Sequence, residues 1–372
     1  MPGLRVPFLD LSRQYAELRD ELVSSATRVL DSGRYILGPE NEAFSAEFAR
    51  MHGAPFCAGV ASGTDALKLS LEAAGVGPGD EVALPALTFV ATATVVSALG
   101  ARPRFVDVEP DSLTMSPEDL ERRITPRVKA VIPVHLYGLP ARLDAILRIA
   151  RSKGLAVVED CAQSHGAVFA GKPVGSHGDF GAFSFYPTKN IGACGDAGAI
   201  TAVDEARFAA VMLLRDCGRR PGTRYDHIVA SNHSRLDELQ AALLRVKLPH
   251  LEEWTRQRRS AAARYTRGLQ GLPVSLPPAD PENGRHVYHQ YVLQTPERDA
   301  LAKSLEKRGV GSGIYYPMPL HRLEAYRNLG YTEGDFPEAE RAAKEVLSLP
   351  MFSELRDDEI EAVIESVRAH FS

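Results

Sequence analysis

Between residues 56 and 203, short β-branched runs alternate with stretches of helical periodicity, and few architectures accept that alternation. Strands separated by helices pair side by side in the same direction, because each crossover is long enough to return the chain to the same edge. The pattern therefore predicts an α/β fold with a mostly parallel sheet covered by helices. Strand-like runs fall at 81–84, 104–108, 129–134, 156–159, 181–185 and 198–203. Helices are expected from Thr64 to about Ala74, after the capping pair Ser116 and Asp119, and over 143–153. Residues 234–269 read as a long helical stretch that Pro249 must break or kink. That proline is the expected transition between a large domain, 1–249, and a smaller α+β domain, 250–372. The tail then offers a turn-rich stretch at 271–284 with four prolines, a strand-like run at 286–293, and a helix, a strand and a final helix.

Composition narrows the partners. With 372 residues, 44% hydrophobic and 24% charged, the chain has the balance of an ordinary folded protein with a large core. A formal net charge of −5 argues against a general nucleic-acid binder, which needs clustered Lys and Arg, and favours a small-molecule partner. Cys57, Cys161, Cys194 and Cys217 form no C-x-x-C pair, so a reducing cytoplasm is the expected location. Residues 1–13 lack the apolar run of a signal peptide, and no stretch is long and apolar enough to span a bilayer, so no membrane partner is expected.

Several motifs carry nothing. Gly166 to Lys172 has the G-x-x-x-x-G-K spacing of a phosphate loop, but Pro173 stands where a magnesium-binding Ser or Thr is needed. The sequon Asn232, His233, Ser234 has no secretory context. The eleven histidines show no metal-ligand spacing, so no metal is expected.

One constellation fits together chemically. Asp160 ends the apolar run 156–158, which puts its carboxylate at the carboxyl end of a strand, where open α/β sheets bind ligands. Lys189 follows the next strand-like run on a loop. A carboxylate that keeps a pyridine nitrogen protonated and a lysine that forms a Schiff base are the two protein groups pyridoxal 5'-phosphate needs. Ser62, Gly63 and Thr64 open a helix whose free N–H groups suit a phosphate, and Ser184 adds a hydroxyl from the lysine side. Each has a plain alternative: a helix cap, a strand-end turn residue, a solvated lysine. Singly the plain alternatives win, and only their order within one sheet favours the cofactor.

The sequence resembles the DegT/DnrJ/EryC1/StrS sugar aminotransferases, a family of fold-type I pyridoxal-phosphate enzymes. The resemblance runs through Val6-Pro7-Phe8-Leu9-Asp10, Arg34-Tyr35-Ile36-Leu37-Gly38-Pro39, the Ser62 turn, and Glu159-Asp160-Cys161-Ala162-Gln163. It continues through the segment from Gly181 to Asn190, the run from Arg235 to Ala242, and Tyr316-Pro317-Met318-Pro319-Leu320-His321. It implies Lys189 as the Schiff-base lysine, Asp160 at the ring nitrogen, Gln163 near the ring hydroxyl, and Phe89 stacked on the ring. Ser62, Gly63, Thr64 and Ser184 would hold the phosphate. Periodicity alone favours Phe89 as a core aromatic on a helix after Pro85. The resemblance also implies a homodimer with shared active sites, in which an Asn reaches the neighbour's phosphate. That position, counted back from Arg235, holds His233, with Asn232 one place off.

The implied reaction is ping-pong transamination, with L-glutamate as donor, pyridoxamine 5'-phosphate as the intermediate cofactor form, and a nucleotide-linked keto sugar as acceptor. Lys189 argues against the family's dehydratases, which carry His there. Residues 184–195 and 234–251 look most like aminotransferases acting at C-3 of dTDP-linked 3-keto-6-deoxyhexoses. Aminotransferases acting at C-4 or on UDP-linked 3-keto uronates share most of the motifs, and a non-catalytic sensor that keeps the cofactor is a remote alternative. Tyr186, Tyr316 and His321 are the candidates for the sugar side, against the ordinary expectation of packed tyrosines and a solvated loop histidine.

Overall fold

A computed structural model describes residues 6–372, so the first five residues of the expected large domain lie outside it. Helices α1 (Leu11–Ser32) and α2 (Pro39–Met51) precede the sheet. Its first strands are β1 (Phe56–Val60), β2 (Glu81–Pro85), β3 (Arg102–Val106), β4 (Val128–Val131) and β5 (Ala156–Asp160). After a small hairpin of β6 (Val168–Phe169) and β7 (Lys172–Pro173) come β8 (Phe180–Ser184) and β9 (Gly198–Ala202). The sheet is seven-stranded with order β1-β9-β8-β5-β4-β2-β3, and only β9 runs against its neighbours.

All six strand-like runs form strands, displaced by at most three residues at either end. The largest displacement is at β4, which stops at Val131 because Pro133 has no N–H to continue the ladder. The edge strand β1 is additional to those runs. Residues 166–173 are no phosphate loop: Ala170 and Gly171, both left-handed at φ 47° and 78°, make the tight turn between β6 and β7.

The sheet is buried on both faces, as strands with near-continuous apolar sequence require. One face packs on α3 (Gly63–Ala73) and α4 (Ala91–Ala98), the other on α5 (Pro117–Arg123) and α6 (Leu143–Ser152). Alternate residues divide between them: Val82 and Leu84 point one way and Ala83 the other. The expected cap forms, with Ser116 Oγ accepting the Asp119 N–H at 3.3 Å. Helix α7 (Glu205–Leu214) completes the first face.

The expected helix over 234–269 is shorter at its start and broken in the middle. Residues 234–237 stay outside it because Asp237 caps α8 (Glu238–Lys247), accepting the Gln240 N–H at 2.8 Å. Pro249 sits in a 3-10 turn, Leu248–His250, before α9 (Leu251–Leu269). Glu238 ties two distant motifs together, its carboxylate accepting the N–H groups of Gly38 at 2.8 Å, Glu40 at 2.8 Å and Asn41 at 3.0 Å.

The smaller core is built on α9, β10 (Tyr291–Gln294), α10 (Arg298–Lys307), β11 (Val346–Leu349) and α12 (Asp357–Arg368), with β10 and β11 antiparallel, while α11 (Pro337–Glu345) turns its buried alanines to the large core. Tyr265, Tyr291, Leu301, Leu347 and Val363 fill it. The strand-like run 286–293 begins pairing with β11 only at Tyr291, because residues 287–290 are strapped to another loop: Val287 N–H donates to Gly138 at 3.1 Å and Gln290 N–H to Tyr137 at 3.3 Å. Two features cross the 249/250 boundary. Val6 packs in the small core and exchanges backbone bonds with Gly309 and Gly311, and Arg13 pairs with Glu359 through two bonds of 2.7 Å. Conversely, Tyr326, Phe336 and Ala339 from the tail pack into the large core. No helix among the described residues is long and apolar enough to cross a membrane.

Candidate active site

Parallel pairing of β5 with β8 sets Asp160 opposite Ala182, two residues before Ser184 ends its strand. The chain then turns, with the Lys189 N–H on the Tyr186 carbonyl at 2.8 Å, and brings Lys189 back toward the same crevice. Asp160 is buried; its Oδ2 accepts the Thr92 hydroxyl at 3.0 Å and its Oδ1 the Ala162 N–H at 3.2 Å. Burial pushes this carboxyl up, while Ala162, Thr92 and the Lys189 charge pull it back. Burial likewise lowers the Lys189 ammonium to about 8, against the opposing pull of Asp160. At neutral pH more of such a lysine is free amine than of an ordinary lysine, and free amine is the nucleophile.

The helix end beside this pair is shaped for an anion. Ser62 caps α3 and accepts the Asp65 N–H at 3.0 Å, which leaves the first-turn N–H groups at Gly63 and Thr64 without an intrahelical acceptor. A Cβ on Gly63 would stand 2.5 Å from Ser184 Cβ, so only glycine lets the helix end approach the end of β8 this closely. The Ser184 Oγ accepts the Tyr186 N–H at 3.3 Å, which leaves its own hydrogen to donate.

Gln163 sits beside Asp160 in a chain of contacts. Its Oε1 accepts the Tyr137 N–H at 2.6 Å and its Nε2 donates to the Tyr316 hydroxyl at 3.2 Å. Burial and the Asp160 charge push the Tyr316 phenol up, so it stays protonated. Phe89 is not the core residue that periodicity favours. It stands in the loop between β2 and α4, 54% exposed, with its ring 6.0 Å from that of Tyr316. An exposed aromatic over a crevice with a buried carboxylate at its floor suits a flat ring.

The remaining candidates divide. Tyr186 is 51% exposed on the lysine turn rather than packed. His321 departs from the solvated reading: its side chain is fully buried, with Nε2 3.0 Å from Glu340 Oε1 and its ring against Phe336. Asn232 and His233 are exposed on a long excursion, and among the described residues neither makes a side-chain hydrogen bond.

Two residues at the site escaped sequence reasoning. Thr92 is signalled only by being a hydroxyl in the apolar stretch of α4, four residues after Thr88. Tyr137 contributes a backbone N–H from a left-handed conformation, φ 59°, which no side-chain pattern announces. Behind the site His135, Glu159 and Cys161 cluster, but this is a satisfied core rather than a metal centre. The Glu159 carboxylate accepts from Gly175, His177 and Gly178 N–H groups at 2.7–2.8 Å, and His135 uses both ring nitrogens, on Glu159 and on the Ala141 N–H.

A lysine with a lowered ammonium, a buried carboxylate and an anion cradle at the strand ends of a mostly parallel sheet define the active site of an aminotransferase. The chain belongs to the DegT/DnrJ/EryC1/StrS aminotransferase family, whose model matches residues 16–368. It is 45% identical over 365 residues to a dTDP-3-amino-3,4,6-trideoxy-alpha-D-glucose transaminase of Streptomyces venezuelae, covering 98% of this chain and 96% of that one. It is also 45% identical over 363 residues to a UDP-N-acetyl-3-dehydro-alpha-D-glucosamine 3-aminotransferase of Acidithiobacillus ferrooxidans, covering 98% and 97%. The solved structure of S. venezuelae DesV in complex with a ketimine intermediate superposes with a TM-score of 0.95 at 45% identity, covering 98% of each chain.

Proposed function

We propose that this protein transfers an amino group from L-glutamate to C-3 of a dTDP-linked 3-keto-6-deoxyhexose, using pyridoxal 5'-phosphate held by Lys189. The observation that carries the reading is the pairing of the half-buried Lys189, on the loop after β8, with the buried Asp160 at the end of the adjacent β5, the lysine being lowered to about 8. The residues present fit the cofactor: the glycine-only approach of Gly63 to Ser184 makes a phosphate cradle, and the buried Asp160 suits a ring nitrogen. When bound, the cofactor supplies a carbonyl carbon for amines and a ring that accepts electron density.

The chain's own groups do the rest. Asp160, held by Thr92 and Ala162, keeps a proton on the ring nitrogen. Ser62, Gly63, Thr64 and Ser184 hold the phosphate, and Gln163 orients the ring hydroxyl while Tyr137 and Tyr316 fix its amide. Phe89 covers one ring face and excludes water. Lys189 would hold the cofactor, and its amine would serve as the base that moves a proton at the donor's α-carbon. Tyr186 and Tyr316 face the sugar. Two chains form the working unit in the cytoplasm, with Asn232 or His233 reaching the neighbour's phosphate.

Supporting the C-3 assignment, both relatives above carry names that specify position 3. The second of them favours one further reading, a UDP-linked 3-keto sugar. Protein loaded with pyridoxamine phosphate is mixed separately with dTDP-linked 3-keto and 4-keto 6-deoxyhexoses and a UDP-linked 3-keto sugar, followed by cofactor absorbance and mass analysis of the sugar. Nitrogen gained only by the dTDP-linked 3-keto sugar supports the assignment; gain by another sugar alone overturns the regiochemistry or the nucleotide.

A further inference from the structure

Residues 287–290, strapped to the loop at Tyr137 and Gly138, also touch the lysine loop. Asn190, the residue after Lys189, is buried, and its side chain faces this strap. Its Nδ2 donates to the Val287 carbonyl at 3.2 Å, and its Oδ1 lies 3.0 Å from His289 Nδ1. With the amide nitrogen committed to a carbonyl, the oxygen accepts, so His289 Nδ1 carries the hydrogen. His289 is itself buried. Burial, with the Lys189, Arg258 and His165 charges around it, drives its pKa well below the ordinary value, so the ring is neutral and Nδ1 remains a donor. The strap has little freedom: a Cβ on Gly138 would lie 2.9 Å from the His289 backbone nitrogen. One segment thus holds both Tyr137, which orients Gln163, and Asn190, which follows the lysine.

We propose that His289 is a positioning residue of the amino-transfer reaction, fixing through Asn190 the loop that aims Lys189 into the crevice. The inference rests on the reading of Lys189 as the cofactor lysine. His289 and Asn190 are both buried behind the lysine loop, so their effect is on how often the Lys189 amine points at its target, and small displacements of a nucleophile cost rate steeply.

The test uses full-length protein freed of cofactor. The rate at which added pyridoxal phosphate develops the lysine-adduct absorbance is measured across pH, with Lys189→Ala as background. Pyridoxine phosphate, which lacks the aldehyde, reports binding to the cradle alone. His289→Phe, which keeps the ring and loses the donor, is expected to slow adduct formation about tenfold at every pH, to leave pyridoxine phosphate affinity within about twofold, and to melt within a few degrees of the parent. His289→Gln, which restores an N–H donor, recovers most of the rate. Asn190→Ala repeats the loss, and combining it with His289→Phe adds nothing further. Should His289→Phe fold poorly, the Asn190→Ala and His289→Gln arms decide. The proposal is overturned by parental rates in His289→Phe or Asn190→Ala, by equal loss in the Phe and Gln variants, or by additive losses in the double variant. Absence of any adduct band in the parent above the Lys189→Ala background overturns the lysine reading, and this inference with it.

Discussion

Thr92 donates its hydroxyl to Asp160 Oδ2 at 3.0 Å, so the first turn of α4 holds the carboxylate at the floor of the crevice. The bond opposes the burial that pushes this carboxyl up. Thr92→Val keeps the shape and removes the donor, so the Asp160 pKa rises further. A hydrogen bond to a charged group is worth about 1.5–3 kcal/mol, which corresponds to roughly one to two pKa units. The acid limb of the kcat profile is expected to move upward by about one unit, with Thr92→Ser restoring it. An unmoved limb would show that Thr92 does not tune the carboxylate.

Gly63 admits no side chain, since a Cβ there meets Ser184 Cβ at 2.5 Å. In Gly63→Ala the helix end and β8 must separate, at an overpacking cost of about 1–3 kcal/mol. Much of that separation falls on the phosphate cradle. Cofactor affinity, measured by equilibrium dialysis, is expected to weaken about tenfold or more while the bulk circular dichroism is unchanged. Parental affinity in this variant would remove the cradle from the phosphate.

Asp160 and Lys189 favour each other's charged forms, against the burial that disfavours both. The lysine lies at about 8 because burial outweighs the stabilising carboxylate. Adduct formation with added cofactor therefore rises with pH through about 8, as the amine loses its proton. Asp160→Asn removes the negative charge that favoured the ammonium, so the midpoint is expected to move downward. Stopped-flow absorbance across pH 6–10 checks the sign, and an upward shift would mean that the two groups do not face each other.

His321 is enclosed by Glu340 and Phe336. His321→Ala is expected to cost stability on the order of 1–3 kcal/mol, seen as a lower denaturation midpoint, while the sugar KM stays within about threefold. A tenfold rise in KM at parental stability would return the histidine to the sugar side.

The sheet was legible because fully buried strands write themselves as β-branched runs, and Pro249 announced its own kink. The candidate cofactor groups stood out as an ordered set, Ser62 to Thr64, Asp160 and then Lys189, none of them persuasive alone. Phe89 misled periodicity because it is an apolar residue used at the surface, where a pattern of buried faces has nothing to say. His321 misled the opposite way, because a polar ring among loop residues reads as solvated until its carboxylate partner, 19 positions on, is folded against it. Tyr137 lay beyond reach, since what it offers is a backbone group in a left-handed conformation.

The bonds from Val6 to residues 309–311 and from Arg13 to Glu359 impose an order on biosynthesis. Arg13 leaves the ribosome 346 residues ahead of its partner, which at ordinary synthesis rates is a wait of tens of seconds, roughly. During that interval the sheet can assemble and bury its strands, while the leading segment stays unanchored. Lys189 is thus made early, but the strap that steadies its loop and the clasp from Val6 and Arg13 to residues 309–359 arrive late. A site of this design waits for residues 287–290 to be made, and a disturbance at Val6 would be felt at residues 309–311 before it was felt at the sheet.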